Sequence, residues 1–268
     1  IFVYYLFRTV ATVDHPATSA LSATSGTFTG NIIIPNSGNI GSVGDTDAVT
    51  ITSAGLVGLN NTSPSSALAV NANLNDQWAG RFENTNSGGY GVLSRTTAST
   101  TSDIAFRVDK NGSETALNVD GAGHVTMPYQ PAFLVTPSTQ QDNINGDGSD
   151  VDVAFGSEIF DNNADFASST FTAPVTGRYF FTVSLRFENV DTASAYVQIY
   201  LLTSNRIIKS IQSTNVFSGD IPYLHVHMTS LSDMDANDTC KIQLQLESSG
   251  ASQADVDPNS FFSGHLVC

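Results

Sequence analysis

Five apolar side chains at every second position, Tyr179, Phe181, Val183, Leu185 and Phe187, follow directly on a corner built from Pro174 and Gly177. Proline fixes its own φ and offers no N–H to a sheet, and glycine takes backbone shapes closed to other residues, so residues 173–177 read as a corner between strands. Successive side chains of a strand leave opposite faces, so the run after the corner predicts a strand with one face buried. Alternation returns at residues 196–202, 207–214, 223–231, 240–246 and 261–267, with clusters of Asn, Asp, Gly and Ser between them. Short strands punctuated by turn signals predict a sandwich of two sheets.

Composition supports an all-β protein of the extracellular or virion-borne kind. Charged residues are 13% of the chain against roughly 25% in ordinary soluble domains, and Ser, Thr, Asn and Gly fill the polar positions. With 10 basic and 25 acidic residues the formal charge is -15. Counter-ion release from a phosphate backbone is then no driving force, which sets nucleic acid aside as a partner. Two cysteines, Cys240 and Cys268, make no disulfide framework, so stability rests on burial. Cys240 shares the face of Ile242, Leu244 and Leu246 and reads as a small core residue. A bridge to Cys268 requires the last two strands to lie close.

Two motifs in order carry a family resemblance: Thr172-Ala173-Pro174, then Gly177 and Tyr179, and near the end Phe262-Ser263-Gly264 with Leu266. Residues 156–187 together with this closing strand resemble the globular head of the complement C1q family. The resemblance implies a jelly-roll sandwich, similar also to tumour necrosis factor, over residues 130–268. It also implies that heads assemble as trimers.

Ahead of the head lie two other regions. Residues 1–25 begin with seven apolar residues that end at Arg8, too few for a membrane span of about 20 and without a basic segment before them. They are expected to form a tip that docks on a partner, and the absent initiator Met suggests a processed chain or a piece of a longer one. Residues 26–129 contain a repeat: residues 48–59 align without gaps on residues 116–127, each reading as strand, Gly-containing turn, strand. A partial third copy at residues 67–72 lacks the glycine and the return strand. A lone hairpin is marginally stable in water, so each copy needs neighbours. An intertwined trimeric β shaft supplies them. The alternative is a flexible low-complexity stalk, against which stand the periodic Val, Ile, Leu and Phe positions. In the shaft Trp78 is expected on the narrow three-fold core.

Residues 26–60 and 78–127, including Trp78-Ala79-Gly80-Arg81-Phe82 and Phe106-Arg107-Val108-Asp109-Lys110-Asn111-Gly112, are similar to repeats of bacteriophage tail-fibre proteins. Bacterial surface adhesins carry similar repeats. The phage resemblance implies an extracellular, virion-borne homotrimer. Its N-terminal end would join a tail or baseplate protein, and its knob would contact a glycan or protein of the host surface. The alternatives are a head or collar fibre or a decoration trimer without receptor binding, and a bacterial adhesin.

The chain lacks the sequence signs of catalysis. Its three lysines follow Asp109, Ile208 and Cys240, which excludes a phosphate loop ending in Gly-Lys, and there is no Gly-x-Ser-x-Gly elbow or His-Glu-x-x-His motif. No spacing singles out a carboxylate pair, and no cofactor is required. Binding is left to loops on a rigid sandwich: residues 142–150, 188–194, 215–222 and 247–259. Asp142, Asn143, Asn145, Asp147 and Asp150 are the receptor-contact candidates. The Asx spacing from Asn143 also resembles a calcium loop, but its twelfth position is Ala154 where a bidentate Glu belongs, so an Asx turn and a weak calcium site are both readings of it. His225 and His227 leave one face of their strand while Leu224, Val226 and Met228 take the other. The C1q resemblance places that strand in the sheet that meets its copies. Six imidazoles on a three-fold axis suit a first-row transition metal, although solvated or interface-packed histidines are the commoner use.

Overall fold

The computed structural model describes Ile33 and residues 38–42, 44–73, 75–247 and 253–268. The expected tip at residues 1–25 lies outside the described residues. Strands and turns make up the described chain, with no helix among the described residues, and the chain divides into two compact units, Ile1–Val92 and Leu93–Cys268. The division falls within the segment assigned to the shaft.

The first unit holds one sheet in the order β1 (Gly38–Ser42), β2 (Asp45–Ile51), β3 (Val57–Leu59) and β4 (Leu68–Val70). The first three strands form an antiparallel meander, and β4 lies parallel to β3. The partial third copy at residues 67–72 is thus a single strand added to an edge. The second unit opens on another meander, β5 (Ile104–Lys110), β6 (Glu114–Asp120) and β7 (Val125–Thr126).

The two meanders repeat one another at an offset of 68 positions, 40 to 108. Ile40 pairs with Val49 as Val108 pairs with Leu117, and Ile51 with Val57 as Val119 with Val125. Their turns match bond for bond. Thr52 and Asp120 each accept, on a side-chain oxygen, the backbone N–H four residues on, at 3.0 Å from Leu56 and 2.9 Å from His124. Gly55 and Gly123, at φ of 78° and 93°, donate their N–H back to the carbonyls of Thr52 and Asp120. A hydroxyl one bond beyond Cβ and a carboxylate oxygen two bonds beyond it do the same work here, because both side chains are short enough to reach a backbone N–H of their own turn. The repeat extends upstream of the twelve aligned residues to include β1 and β5.

After the meander comes a jelly-roll sandwich. Its first sheet orders β11 (Ser157–Asp161), β8 (Ala132–Thr136), β20 (Phe261–Leu266), β14 (Gly177–Val190), β19 (Gln253–Val256) and β9 (Gln141–Asn145), with β17 (Ile221–Met234) also paired to β14. The second orders β12 (Phe166–Ala167), β13 (Thr170–Thr172), β18 (Thr239–Glu247), β15 (Tyr196–Thr203) and β16 (Ile207–Ser213), with β10 (Val151–Asp152) on β18.

The alternation of β14 comes out as expected: Tyr179, Phe181, Val183, Leu185 and Phe187 are fully buried and pack toward Val197, Ile199, Leu201, Ile242, Leu244 and Leu246 of the facing sheet. Burial of each such side chain contributes about 1.5–3 kcal/mol. The corner is closed by the Tyr179 hydroxyl, which donates to the Val175 carbonyl at 2.8 Å. In the closing motif Gly264 pairs with Phe181 on one side and Phe133 on the other. A Cβ there would stand 2.5 Å from the Phe181 ring and 2.8 Å from the Phe133 ring, so the motif needs a residue without one.

One expectation is corrected. Of the loops expected at residues 142–150 and 247–259, residues 142–145 lie in β9 and residues 253–256 in β19, and these strands pair with each other. Few of their side chains are apolar, and what ties them in is the buried Asp255 carboxylate, which accepts the Asn143 N–H at 2.8 Å and the Asn189 amide at 2.9 Å. The condition left open for a cysteine bridge is not met, and both cysteines are free. Cys240 is buried in β18 and Cys268 follows β20 in the opposite sheet; burial pushes the Cys240 thiol well above its usual range.

Candidate functional site

The chain enters the sandwich at Pro131. At the opposite end, β14, β16 and β18 deliver their turns side by side. Asp220 Oδ1 accepts the backbone N–H of Thr192 at 3.1 Å and its hydroxyl at 3.2 Å. Asp191 Oδ2 accepts the Gln253 N–H at 2.9 Å, and the backbones of Glu247 and Asp147 pair in a single antiparallel β-bridge. Together Asn189, Asp191, Asp220, Ile221, Pro222 and Gln253 line an open cleft of about 420 Å³. This end offers carboxylates, amides and hydroxyls on a backbone that the strands below hold in place.

The five receptor-contact candidates are all exposed and run along one edge of this end. Asp142, Asn143 and Asn145 belong to β9. Asn143 takes a left-handed φ of 57° and gives its N–H to Asp255. Asp147 makes the Asx turn: its Oδ1 accepts the Ser149 N–H at 2.8 Å and its Oδ2 the Asn145 amide at 3.0 Å. Hydrogen bonds from Ser149 hold the Asp147 carboxyl below its usual range. Asp150 accepts from the Gln245 amide at 3.1 Å. Among the described residues no three His, Cys, Asp or Glu side chains converge as a metal site.

His225 and His227 both stand exposed on the outer face of the first sheet, while Val226 and Met228 are buried beneath them. Across the ladder they face Arg186 and Ser184 of β14. Arg186 lies 4.6 Å from the Tyr223 ring centroid and is ion-paired to Glu188 at 3.0 Å and Asp257 at 3.2 Å. A hydrogen bond with Asp257, helped by burial, pushes the Glu188 carboxyl above its usual range. Sequence reading missed this cluster. Arg186 and Glu188, two apart in a strand, were a visible signal, but Asp257 comes from a segment read as loop.

Both outer faces of the sandwich mix apolar and polar side chains. That of the first sheet carries Phe160, Phe180, Tyr223 and Leu231 with large exposed areas, and Leu134 half-buried between them. On the second sheet the equivalent positions of β15 and β18 are polar and hydrogen-bonded: Tyr196 and Tyr200 donate to Gln245 at 3.3 and 3.0 Å, and Gln243 and Lys241 reach Asp152 at 2.7 and 2.9 Å. Ile207 and Ile211 of β16 stand exposed on that same face, so both outer faces leave some apolar area uncovered.

Comparison with known proteins adds a family match. The C1q domain profile matches residues 132–267. Solved structures that the chain matches include the globular domain of zebrafish complement 1qA protein, at 18% identity over 52% of this chain and 98% of that one, with a TM-score of 0.39. Murine APRIL at pH 5.0 is another, at 9% identity over 52% and 99% of the two chains, with a TM-score of 0.38. Among curated proteins none matches.

Proposed function

This chain belongs to the C1q domain family through residues 132–267, and from that premise we propose that it is a viral attachment fibre. In this reading it is a homotrimeric binding protein rather than an enzyme. A shaft spans residues 26–129 and a knob residues 130–268; the N-terminal end joins a tail or baseplate protein, and the knob contacts a glycan or protein of the host surface. One observation carries the proposal: a sandwich whose polar turns gather at the end away from its chain entry, preceded by repeated meanders.

Trimer formation is supported by the outer face of the first sheet. Phe180 and Leu231 are paired across β14 and β17 and stand exposed there, and Phe160 and Tyr223 are exposed elsewhere on the same face; exposed apolar side chains of this size are what soluble proteins keep for partners. Three identical knobs then present three identical sets of turns, which turns weak single contacts into firm attachment. The charge of -15 sets nucleic acid aside as the target.

The test is to decorate virions carrying this chain with gold-labelled antibody to the knob, and to add purified protein to host cells before infection. Label at the ends of tail fibres and reduced infection are the expected results. Label on the capsid or collar with infection unchanged would replace the proposal with a structural fibre or decoration trimer.

His225 and His227 lie on the face assigned to the trimer, so three pairs would line its axis, with a transition metal as their ligand. The Arg186 charge beside them is balanced by Glu188 and Asp257, which removes one obstacle to a cation. Elemental analysis of purified trimer should return about one metal ion per three chains; none would end the idea.

A further inference from the structure

The second meander ends one short connection before the sandwich. β7 closes at Thr126 and β8 opens at Ala132, and no strand of this meander pairs with a strand of either sandwich sheet. What joins the two is the connection itself, residues 127–131. It is stiff, because Pro128 and Pro131 fix their own φ and restrict the residues before them, and Gln130 gives its N–H to the Met127 carbonyl at 3.0 Å. It is also fastened to the knob. Asn162 and Asn163 donate their amides to the carbonyls of Gln130 and Tyr129, both at 3.1 Å, and the Gln130 amide reaches the Leu266 carbonyl at 3.1 Å.

Toward the meander the Tyr129 side chain makes the contact. Lys110 Nζ stands 3.5 Å from its ring centroid and pairs with Glu114 at 3.3 Å. Hydrogen bonds from Lys110 and then from Tyr129 hold the Glu114 carboxyl below its usual range. Lys110 and Glu114 are ladder partners at the turn between β5 and β6, so the ring meets the tip of that hairpin. A cleft of about 390 Å³ is lined by Lys110 together with Pro174, Val175 and Leu266 of the knob. The repeat supplies a comparison. At the same offset, 42 to 110, the residues corresponding to Lys110, Glu114 and Tyr129 are Ser42, Thr46 and Asn61, which carry neither charge nor ring. The two meanders share ladder and turn, and differ where the second one reaches the knob.

We propose that Tyr129 is the pin of a fixed joint: its ring, held by the knob, seats the Lys110 ammonium of the hairpin tip, so that the second meander and the knob move as one body. A cation over an aromatic face is attracted by the negative face of the ring, and Glu114 adds a second attraction to the same ammonium. Between mobile partners in water such contacts hold weakly. Here the prolines and the two asparagine amides fix the position of the ring before Lys110 meets it, so little further freedom is lost when the contact closes. The inference stands apart from the attachment reading, since every residue in it belongs to one compact unit of one chain. Under that reading its consequence is that the loop end of the knob keeps one direction relative to residues 104–126.

Trypsin reads the joint in the full chain, because it cuts after Lys110, and Arg95, exposed and outside any strand, serves as an internal control. Tyr129→Ala should raise the rate of cleavage after Lys110 about fivefold, the effect of losing a contact of this class, with cleavage after Arg95 and melting of the knob unchanged. Tyr129→Phe keeps the ring and should stay within twofold of the native rate. Unchanged cleavage after Lys110 in Tyr129→Ala, or a Tyr129→Phe chain as labile as Tyr129→Ala, would overturn the proposal. A second measurement avoids reliance on protease. Spin labels at Ala122→Cys and Ser218→Cys, with Cys268→Ser to remove the exposed thiol and excess unlabelled chain so that each assembly carries one labelled copy, should give one narrow distance that broadens at least twofold in Tyr129→Ala. A distribution as broad in the native chain as in that variant would overturn the joint by itself.

Discussion

Phe133→Ala is expected to cost the knob about 3–5 kcal/mol, the range for removing a fully buried aromatic side chain. Phe133 is 1% exposed and stands where the two sheets meet. Its ring stacks on Phe166 and Phe171 of the second sheet with centroids 5.0 Å away in each case, and meets Phe262 of its own sheet edge-on at 5.0 Å. Alanine removes the apolar area of one ring and also the partner of three others, and those three cannot close the gap together because each is anchored on a different strand. Aromatic pairs of this geometry add about 0.5–1.5 kcal/mol beyond area. The measurement is urea unfolding of the full chain followed by near-ultraviolet circular dichroism, which reports the knob's packed rings. A fall in midpoint at unchanged slope is the expected form. A loss under about 1.5 kcal/mol would mean that the rings do not form the core described here.

The strands that sequence revealed are those with one wet and one dry face. β14 to β18 and β20 alternate because their outer side chains are mostly polar, so the period of two is visible in the letters. Ala132-Phe133-Leu134-Val135 escapes that test. Phe133 and Val135 point inward and Leu134 stands on the apolar outer face of the same sheet, so the run is apolar throughout and has no period to read. β9 and β19 escape for the opposite reason, since only Ile144, Ala254 and Val256 bring them an apolar anchor. Asp255 holds them by hydrogen bonds to Asn143 and Asn189, 112 and 66 positions away. The repeat was half visible. Residues 48–59 and 116–127 share a glycine and an apolar rhythm, but Gly38-Asn39-Ile40-Gly41-Ser42 and Phe106-Arg107-Val108-Asp109-Lys110 have no residue in common, and only their ladder shows them to be equivalent. At the loop end, composition marked residues 191–194 and 215–220 as turns. It could not show which turns meet, because Thr192 and Asp220 are 28 positions apart and Asp191 and Gln253 are 62.

Gly264→Ala should destabilise the knob by about 1–3 kcal/mol, although the usual expectation for glycine in a strand runs the other way. Alanine in place of a strand glycine normally gains about 0.5–1 kcal/mol by restricting the unfolded chain, and the backbone at Gly264 is not among the left-handed positions. What decides the sign is the space above it. The new methyl would lie 2.5 and 2.7 Å from two atoms of the Phe181 ring and 2.8 Å from the Phe133 ring. Neither ring can retreat, since Phe181 is itself packed against Phe171 at 5.7 Å and Phe262 at 5.9 Å, and overpacking a filled core costs about 1–3 kcal/mol or more. Three crowded contacts outweigh the entropic gain. A double substitution identifies the cause: with Phe181→Leu in the background, the added methyl has room, so Gly264→Ala should cost at least 1 kcal/mol less than it does alone, within the usual range of coupling between touching residues. If the two substitutions were simply additive, the glycine of the closing motif would be there for a reason other than the meeting of Phe133 and Phe181 across it.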